Sequence, residues 1–270
     1  MNKIGSSETT RVDCLTNYNF PFTINTKLCK KKLNDEIHFS YWLAGLIDGD
    51  GYLGVCKKNY VCCEITVGDK QLNLLSLVKK NLGGTIQKRK NVKAYRWRLH
   101  NKKSMETLIN HINGKLLLNS KKLQLENLCR SLNIQVKNEN ELFKKTYWLT
   151  GFYEAKGYFN VNTSTFQCNI TLSQKTPELL EKIKQEFGGR VYYDISWKGY
   201  LYSASCNQSL LNWFQYFDEF PLKSWKNIDL VRFKRIVLFK QRKYHLKTNK
   251  NQKLKKRFLN LISNFKIKSE

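Results

Sequence analysis

Apolar residues along this chain change their spacing in a fixed order, and the order occurs twice. Helical spacing in the first pass comes with WLAGLIDGDGYL, Trp42–Leu53. Polar and apolar positions then alternate through Tyr52–Cys56 and Tyr60–Val67, predicting two strands joined by a turn at Lys57–Asn59. A helix fits Gln71–Asn81 and is stopped by Gly83–Gly84. Strands fit Gly84–Lys88 and Ala94–His100, and helices fit Ser104–Ile112 and Lys121–Leu132. The second pass opens on WLTGFYEAKGYF, Trp148–Phe159. Strands follow at Tyr158–Thr163 and Phe166–Leu172, then a helix at Pro177–Phe187. Strands at Arg190–Ile195 and Tyr200–Cys206, with a turn at Lys198–Gly199, precede a helix at Ser209–Phe217.

The two passes keep register. EITVGDK (Glu64–Lys70) matches NITLSQK (Asn169–Lys175), and NLGGTI (Asn81–Ile86) matches EFGGRV (Glu186–Val191). Register held this far predicts a duplicated α+β unit rather than two chance helices. The expected divisions are an extension at 1–38, a first unit at 39–132, a linker at 133–145, and a second unit at 146–270. The last ends in a strongly basic helix or helix pair from Phe233.

Within the opening helices, Gly45 and Gly49 lie one turn apart, as do Gly151 and Ala155. Small residues at that spacing let two backbones approach, so the helices are expected to pack on each other. Gly51 and Gly157 are expected to end them as left-handed caps. Asp50 and Lys156 would then emerge side by side at the same end. Helix C-termini carry partial negative charge, which favours a cation there.

Charge changes the picture. Lys and Arg number 48 against 21 Asp and Glu, a net +27 that calls for a polyanion, nucleic acid first. No apolar run approaches the ~20 residues of a membrane span, and Met1–Thr26 lacks the apolar core of a secretory signal. The eight Cys contain no C-x-x-C, so a zinc site is not expected. Abundant Lys, Asn, Ile and Leu with few Gly and Pro suit an AT-rich gene, hence a mitochondrial or alternatively a chloroplast genome.

LAGLIDGDG (Leu43–Gly51) and LTGFYEAKG (Leu149–Gly157) resemble the paired signatures of the LAGLIDADG homing endonucleases and their intron-maturase relatives. The resemblance implies two pseudo-symmetric αββαββα units sharing the motif-helix interface, with saddle-shaped antiparallel sheets along double-stranded DNA. It implies Mg²⁺-dependent hydrolysis, by a monomer, of a long and loosely palindromic target that spreads an intron. On that likeness Asp50 binds metal, with backbone carbonyls from Gly49 and Ala155. Lys121 (or its neighbour Lys122) and Lys226 are the basic residues of the site, and Asp69 and Gln174 the polar residues that organise water. Lys57, Lys58, Tyr60, Arg89, Arg96, Arg98, Asn160, Asn162, Gln167 and Lys198 would contact DNA. Lys156 departs from the pattern, since an acid is expected there. At ~4 Å and an effective dielectric near ~20 each unit charge is worth roughly 4 kcal/mol, so the swap weakens a cation site by about a thousandfold or more. A strand-specific nickase, or a maturase that binds its own group I intron RNA, are the alternatives.

Overall fold

A computed structural model describes residues 36–55, 60–137, 145–244, 246 and 252–269. Helix α1 (Glu36–Asp50) leads straight into strands β1 (Gly51–Val55) and β2 (Val61–Gly68). A short 3-10 turn, Asp69–Gln71, precedes α2 (Leu72–Leu82). Strands β3 (Thr85–Lys88) and β4 (Ala94–Leu99) follow, then α3 (Lys102–Ile112) and α4 (Asn119–Leu132). The series restarts with α5 (Trp148–Lys156), β5 (Gly157–Val161), β6 (Cys168–Gln174), α6 (Glu178–Phe187), β7 (Arg190–Asp194), β8 (Gly199–Ala204) and α7 (Asn207–Glu219). Helices α8 (Lys226–Gln241) and α9 (Gln252–Ser269) close the chain. The expected basic helix pair is present, but its first helix starts at Lys226, ahead of Phe233. The turn at Lys57–Asn59 lies outside the described residues, as do residues 1–35.

Both sheets are antiparallel and four-stranded, ordered β1-β2-β4-β3 and β5-β6-β8-β7. Period-two burial explains them. Ile65, Val67, Trp97 and Leu99 point inward from the first sheet onto Leu74, Leu75 and Val78 of α2 and Leu108, Ile109 and Ile112 of α3. Ile170, Leu172 and Tyr202 do the same in the second, beneath Leu180, Ile183, Trp213 and Phe217. The two Gly-Gly stops have the same construction. Gly83 and Gly84 take φ of 75° and 85°, and Gly188 and Gly189 take 74° and 96°, a region closed to most side chains. In each the first glycine's carbonyl accepts a buried ring donor, Trp97 Nε1 at 2.9 Å or Tyr202 Oη at 2.8 Å.

The motif helices pack on each other along their length. A Cβ on Gly45 would overlap the Trp148 carbonyl oxygen, and one on Gly151 the Trp42 carbonyl oxygen. A Cβ on Gly49 would strike that of Ala155. The contact is therefore reciprocal, and the four small residues permit it. Helix α8 packs on the second sheet through Phe233, 5.2 Å from Phe159 between ring centroids, and α9 packs through Phe258, 5.2 Å from Phe166.

Candidate active site at the motif-helix termini

Helices α1 and α5 end together, so Asp50 and Lys156 meet. Lys156 Nζ lies 2.8 Å from Asp50 Oδ1, and both side chains remain partly exposed, at 30% and 23%. The glycines that follow depart from expectation. Gly157 is extended at φ −94°, ψ 151°, and Gly51 does not have positive φ. The chain runs directly from helix into strand and needs no left-handed reversal. Glycine is required for space instead: a Cβ on Gly51 would sit 2.6 Å from Ile47 Cα, and one on Gly157 would enter the Tyr153 ring.

Two acids buried one half-turn before the ends hold the site together. Asp48 accepts hydrogen bonds from the Leu117 and Leu118 amides (2.8 and 3.2 Å) and from Trp148 Nε1 (2.9 Å). Glu154 accepts from the Lys223 and Ser224 amides (2.6 and 2.9 Å) and from Ser224 Oγ. Each thus satisfies amides just before a helix, α4 or α8, and docks that helix against a motif helix. Burial raises Asp48 to about 7.

That docking delivers the lysines. Lys121 Nζ donates to the Gly51 carbonyl, 70 residues away in sequence. Lys226 Nζ donates to the carbonyls of Tyr153 (3.1 Å), Glu154 (2.6 Å) and Gly157 (2.6 Å). Lys122 instead lines a small depression with Leu116, Leu125 and Val136, so of the adjacent lysines it is Lys121 that bonds the residue just after the motif helix. Burial lowers both site lysines, Lys226 to about 8, and the nearby carboxylates oppose that shift. Gln71 of the first unit adds a bridge: its Nε2 donates to the Glu154 carbonyl at 2.7 Å, the same oxygen that Lys226 binds.

Other expected residues lie elsewhere. Asp69 Oδ1 accepts from the Lys70 amide (2.8 Å) and Gln174 Oε1 from the Lys175 amide (3.0 Å), so both oxygens turn back on the next residue. Arg96 and Arg98 stand on the outer face of β4 flanking Glu64, at 3.2 and 2.8 Å. Asn162 Oδ1 accepts from the Ser164 and Thr165 amides, which makes it a turn builder. Tyr60, Arg89, Asn160 and Lys198 are exposed, Gln167 is half-buried, and Lys57 and Lys58 lie outside the described residues. Sequence reasoning missed Glu64, Gln71 and the docking role of Asp48 and Glu154. The signal for the last pair was an acid at the same register of both motifs.

The sequence model of the LAGLIDADG endonuclease family matches residues 43–132 and 149–237. The chain belongs to that family. It is 35% identical over 242 residues to the intron-encoded RNA maturase bI4 of Saccharomyces cerevisiae, covering 83% of this chain and 37% of the maturase. It is 32% identical over 248 residues to the probable intron-encoded endonuclease aI2 of Debaryomyces hansenii, covering 83% of this chain and 38% of that protein. The chain thus spans under two-fifths of either relative. Its fold matches the LAGLIDADG meganuclease I-AabMI bound to uncleaved DNA, with TM-score 0.66, 20% identity, and 83% and 98% of the two chains covered. It also matches I-SmaMI bound to uncleaved DNA with calcium ions, with TM-score 0.63, 19% identity, and 84% and 97% covered.

The donor set fits one divalent cation and not two. Asp50 is a partly exposed carboxylate at a carbonyl-rich helix end, suited to a hard cation. Opposite it stands an ammonium. Among the described residues no three His, Cys, Asp or Glu side chains converge on one point.

Proposed function

We propose that the chain is the endonuclease-type part of an intron-encoded protein, a site-specific DNA endonuclease of the homing type acting as a monomer. The carrying observation is Asp50 at the paired helix ends, with Lys121 and Lys226 folded onto the carbonyls beside it. Its substrate is a long duplex of roughly 20 base pairs, about one DNA turn for each half. The proposed cofactor is Mg²⁺ at Asp50, where it would supply Lewis acidity and an activated water. The lysines hold fixed positive charge near the scissile phosphate. A mitochondrial gene is proposed, in keeping with relatives that include a protein of a cox1 intron in Schizosaccharomyces pombe.

Lys156 sets the limit of this activity. With one acid, one strand is cut. A supercoiled plasmid carrying the intronless target should become open circles in Mg²⁺, and Asp50→Asn should stop it. Lys156→Glu should yield linear product. Absence of any cut by both the wild type and Lys156→Glu would sink the endonuclease reading.

A second reading is favoured by one observation, the Asp50–Lys156 ion pair, in which an ammonium stands where a second acid is expected. On it the chain assists group I intron splicing, in keeping with its likeness to bI4, an intron-encoded RNA maturase. Splicing of the host intron in vitro at the same rate with and without the protein removes that reading.

A further inference from the structure

An acid stands in the middle of the face that the first sheet turns away from its helices. Side chains alternate along a strand, so burial of Ile65, Trp97 and Leu99 puts Glu64 of β2 and Arg96 and Arg98 of β4 on the opposite face. Glu64 is the cross-strand partner of Arg98. Its Oε1 lies 2.8 Å from Arg98 Nε, and its Oε2 lies 3.2 Å from Arg96 Nη1. All three side chains reach solvent, Arg98 the most at 37%. A carboxylate on a surface that meets phosphates weakens the attraction, so its place there calls for another role. A partly exposed pair adds little to stability. What the contact supplies is direction. It engages Arg98 through Nε, whereas the two terminal nitrogens, Nη1 and Nη2, form the flat fork that matches guanine O6 and N7 in the major groove. An arginine already held in place loses less freedom when it meets the base.

The second sheet pairs in the same way but lacks this device. Tyr52 pairs with Glu64 and Glu64 with Arg98; Tyr158 pairs with Thr171 and Thr171 with Ser203. Thr171 and Ser203 thus take the places of Glu64 and Arg98, and both are buried. Resting on the endonuclease reading above, we propose that Glu64 is a positioning residue that holds Arg98 to read one guanine of duplex DNA, in the half-site beneath the first unit only. The duplex still lies along both sheets. Its target is lopsided: a G·C pair is demanded at one place in the first half and not at the mirror place in the second.

Selection of bound duplexes from a DNA library of about 20 randomised base pairs, without divalent metal so that nothing is cut, gives the preferred sequence. Exchanging the selected G·C pair for A·T should weaken binding about tenfold. That ratio of affinities is the readout. Arg98→Lys keeps the charge and removes the fork, and should abolish the preference. Glu64→Gln should cut it severalfold with no large fall in unfolding temperature, which a strut between strands would not do. Glu64→Thr, the residue type that Thr171 places at the matching position, is the second variant should the first not fold. A ratio that survives Arg98→Lys, or that is unchanged in the Glu64 variants, overturns the proposal and leaves the endonuclease reading intact. So does the absence of a selected guanine, or a guanine demanded equally at mirror places. Failure of the wild type to bind any duplex overturns both.

Discussion

Two carboxylates at the end of α1 show how position decides what such a group does. Asp48 and Asp50 are two residues apart. Asp48 is buried and takes three donors, while Asp50 faces outward onto Lys156. The outer ion pair is partly solvated and is worth no more than about 1 kcal/mol to stability, so it contributes little to folding. The buried acid is the stability determinant, and its pH dependence has a definite sign. Asp48 ionises at about 7 folded, against 3.8 for an exposed side chain. The folded state therefore holds the extra proton between about pH 4 and 7, and stability from this group falls as pH rises through that window. Asp48→Asn places an amide against donors and should cost ~2 kcal/mol overall. Because asparagine does not titrate, the gap between wild type and variant should narrow by at least about 1 kcal/mol from pH 4.5 to 7.5. Urea unfolding at both values measures it, and a gap that widens with pH contradicts the assignment. Asp50, Lys121, Lys156 and Lys226 were legible as a group because one register offset brings them together. The partners of Asp48 were not. Amides 69 and 70 residues downstream leave no local trace in a sequence.

At the scale of elements, the fold depends on how closely α1 and α5 approach. The order of helices and strands was legible from periodicity, with ends displaced by a few residues, because apolar spacing follows geometry that repeats locally. The role of Gly51 and Gly157 was not legible, since glycine after a helix signals a left-handed cap by default. Here it answers to crowding that only tertiary contact creates. The same crowding makes a graded series. Gly45→Ala and Gly151→Ala each drive a methyl into a backbone carbonyl oxygen that cannot swing away, and should cost about 3 kcal/mol or more. Gly49→Ala drives a methyl to 2.2 Å from the fixed Cβ of Ala155, against 1.9 Å for the other two, and should cost somewhat less. Gly68→Ala is the control: no atom lies within 4 Å of its Cβ position, and its φ of −65° suits alanine. It should be neutral or stabilising by ~0.4–1 kcal/mol through the unfolded chain. Thermal or urea unfolding of the four variants should rank them in that order. Equal losses at Gly45 and Gly68 would mean that the helices are not locked at the small residues.

Across the whole chain, positive charge is divided unevenly between units of one architecture. Ser40–Ser120 carries 14 Lys and Arg against five Asp and Glu, whereas Thr146–Trp225 carries seven of each. Lys226–Glu270 then holds 15 against two. Most of the net charge of +27 thus belongs to the first unit and the C-terminal segment, and the duplicated fold has kept its pairing while its surface diverged. Helix α9 shows that this charge is presented outward: Phe258, Ile262 and Phe265 are buried, while Lys253, Lys256 and Arg257 are exposed. Counterion release converts the distribution into a measurable slope, since each phosphate neutralised on a duplex contributes about 0.9 to the fall of log affinity with log salt. Replacing Lys88, Arg89 and Lys90 with Gln should reduce the slope by up to about 2.7, and replacing Lys198 by at most about 0.9. The same triple replacement at Lys253, Lys256 and Arg257 separates two roles for α9. A reduction near 2.7 makes the helix part of the grip on the duplex. An unchanged slope on DNA with a reduced slope on the host intron RNA assigns it to RNA, and an unchanged slope on both removes α9 from the binding surface. The outcome at the β3–β4 tip bears on the division itself: if Lys198 alone lowers the slope as much as the basic triple, the two halves share the phosphate load and the unevenness of charge has no counterpart in binding.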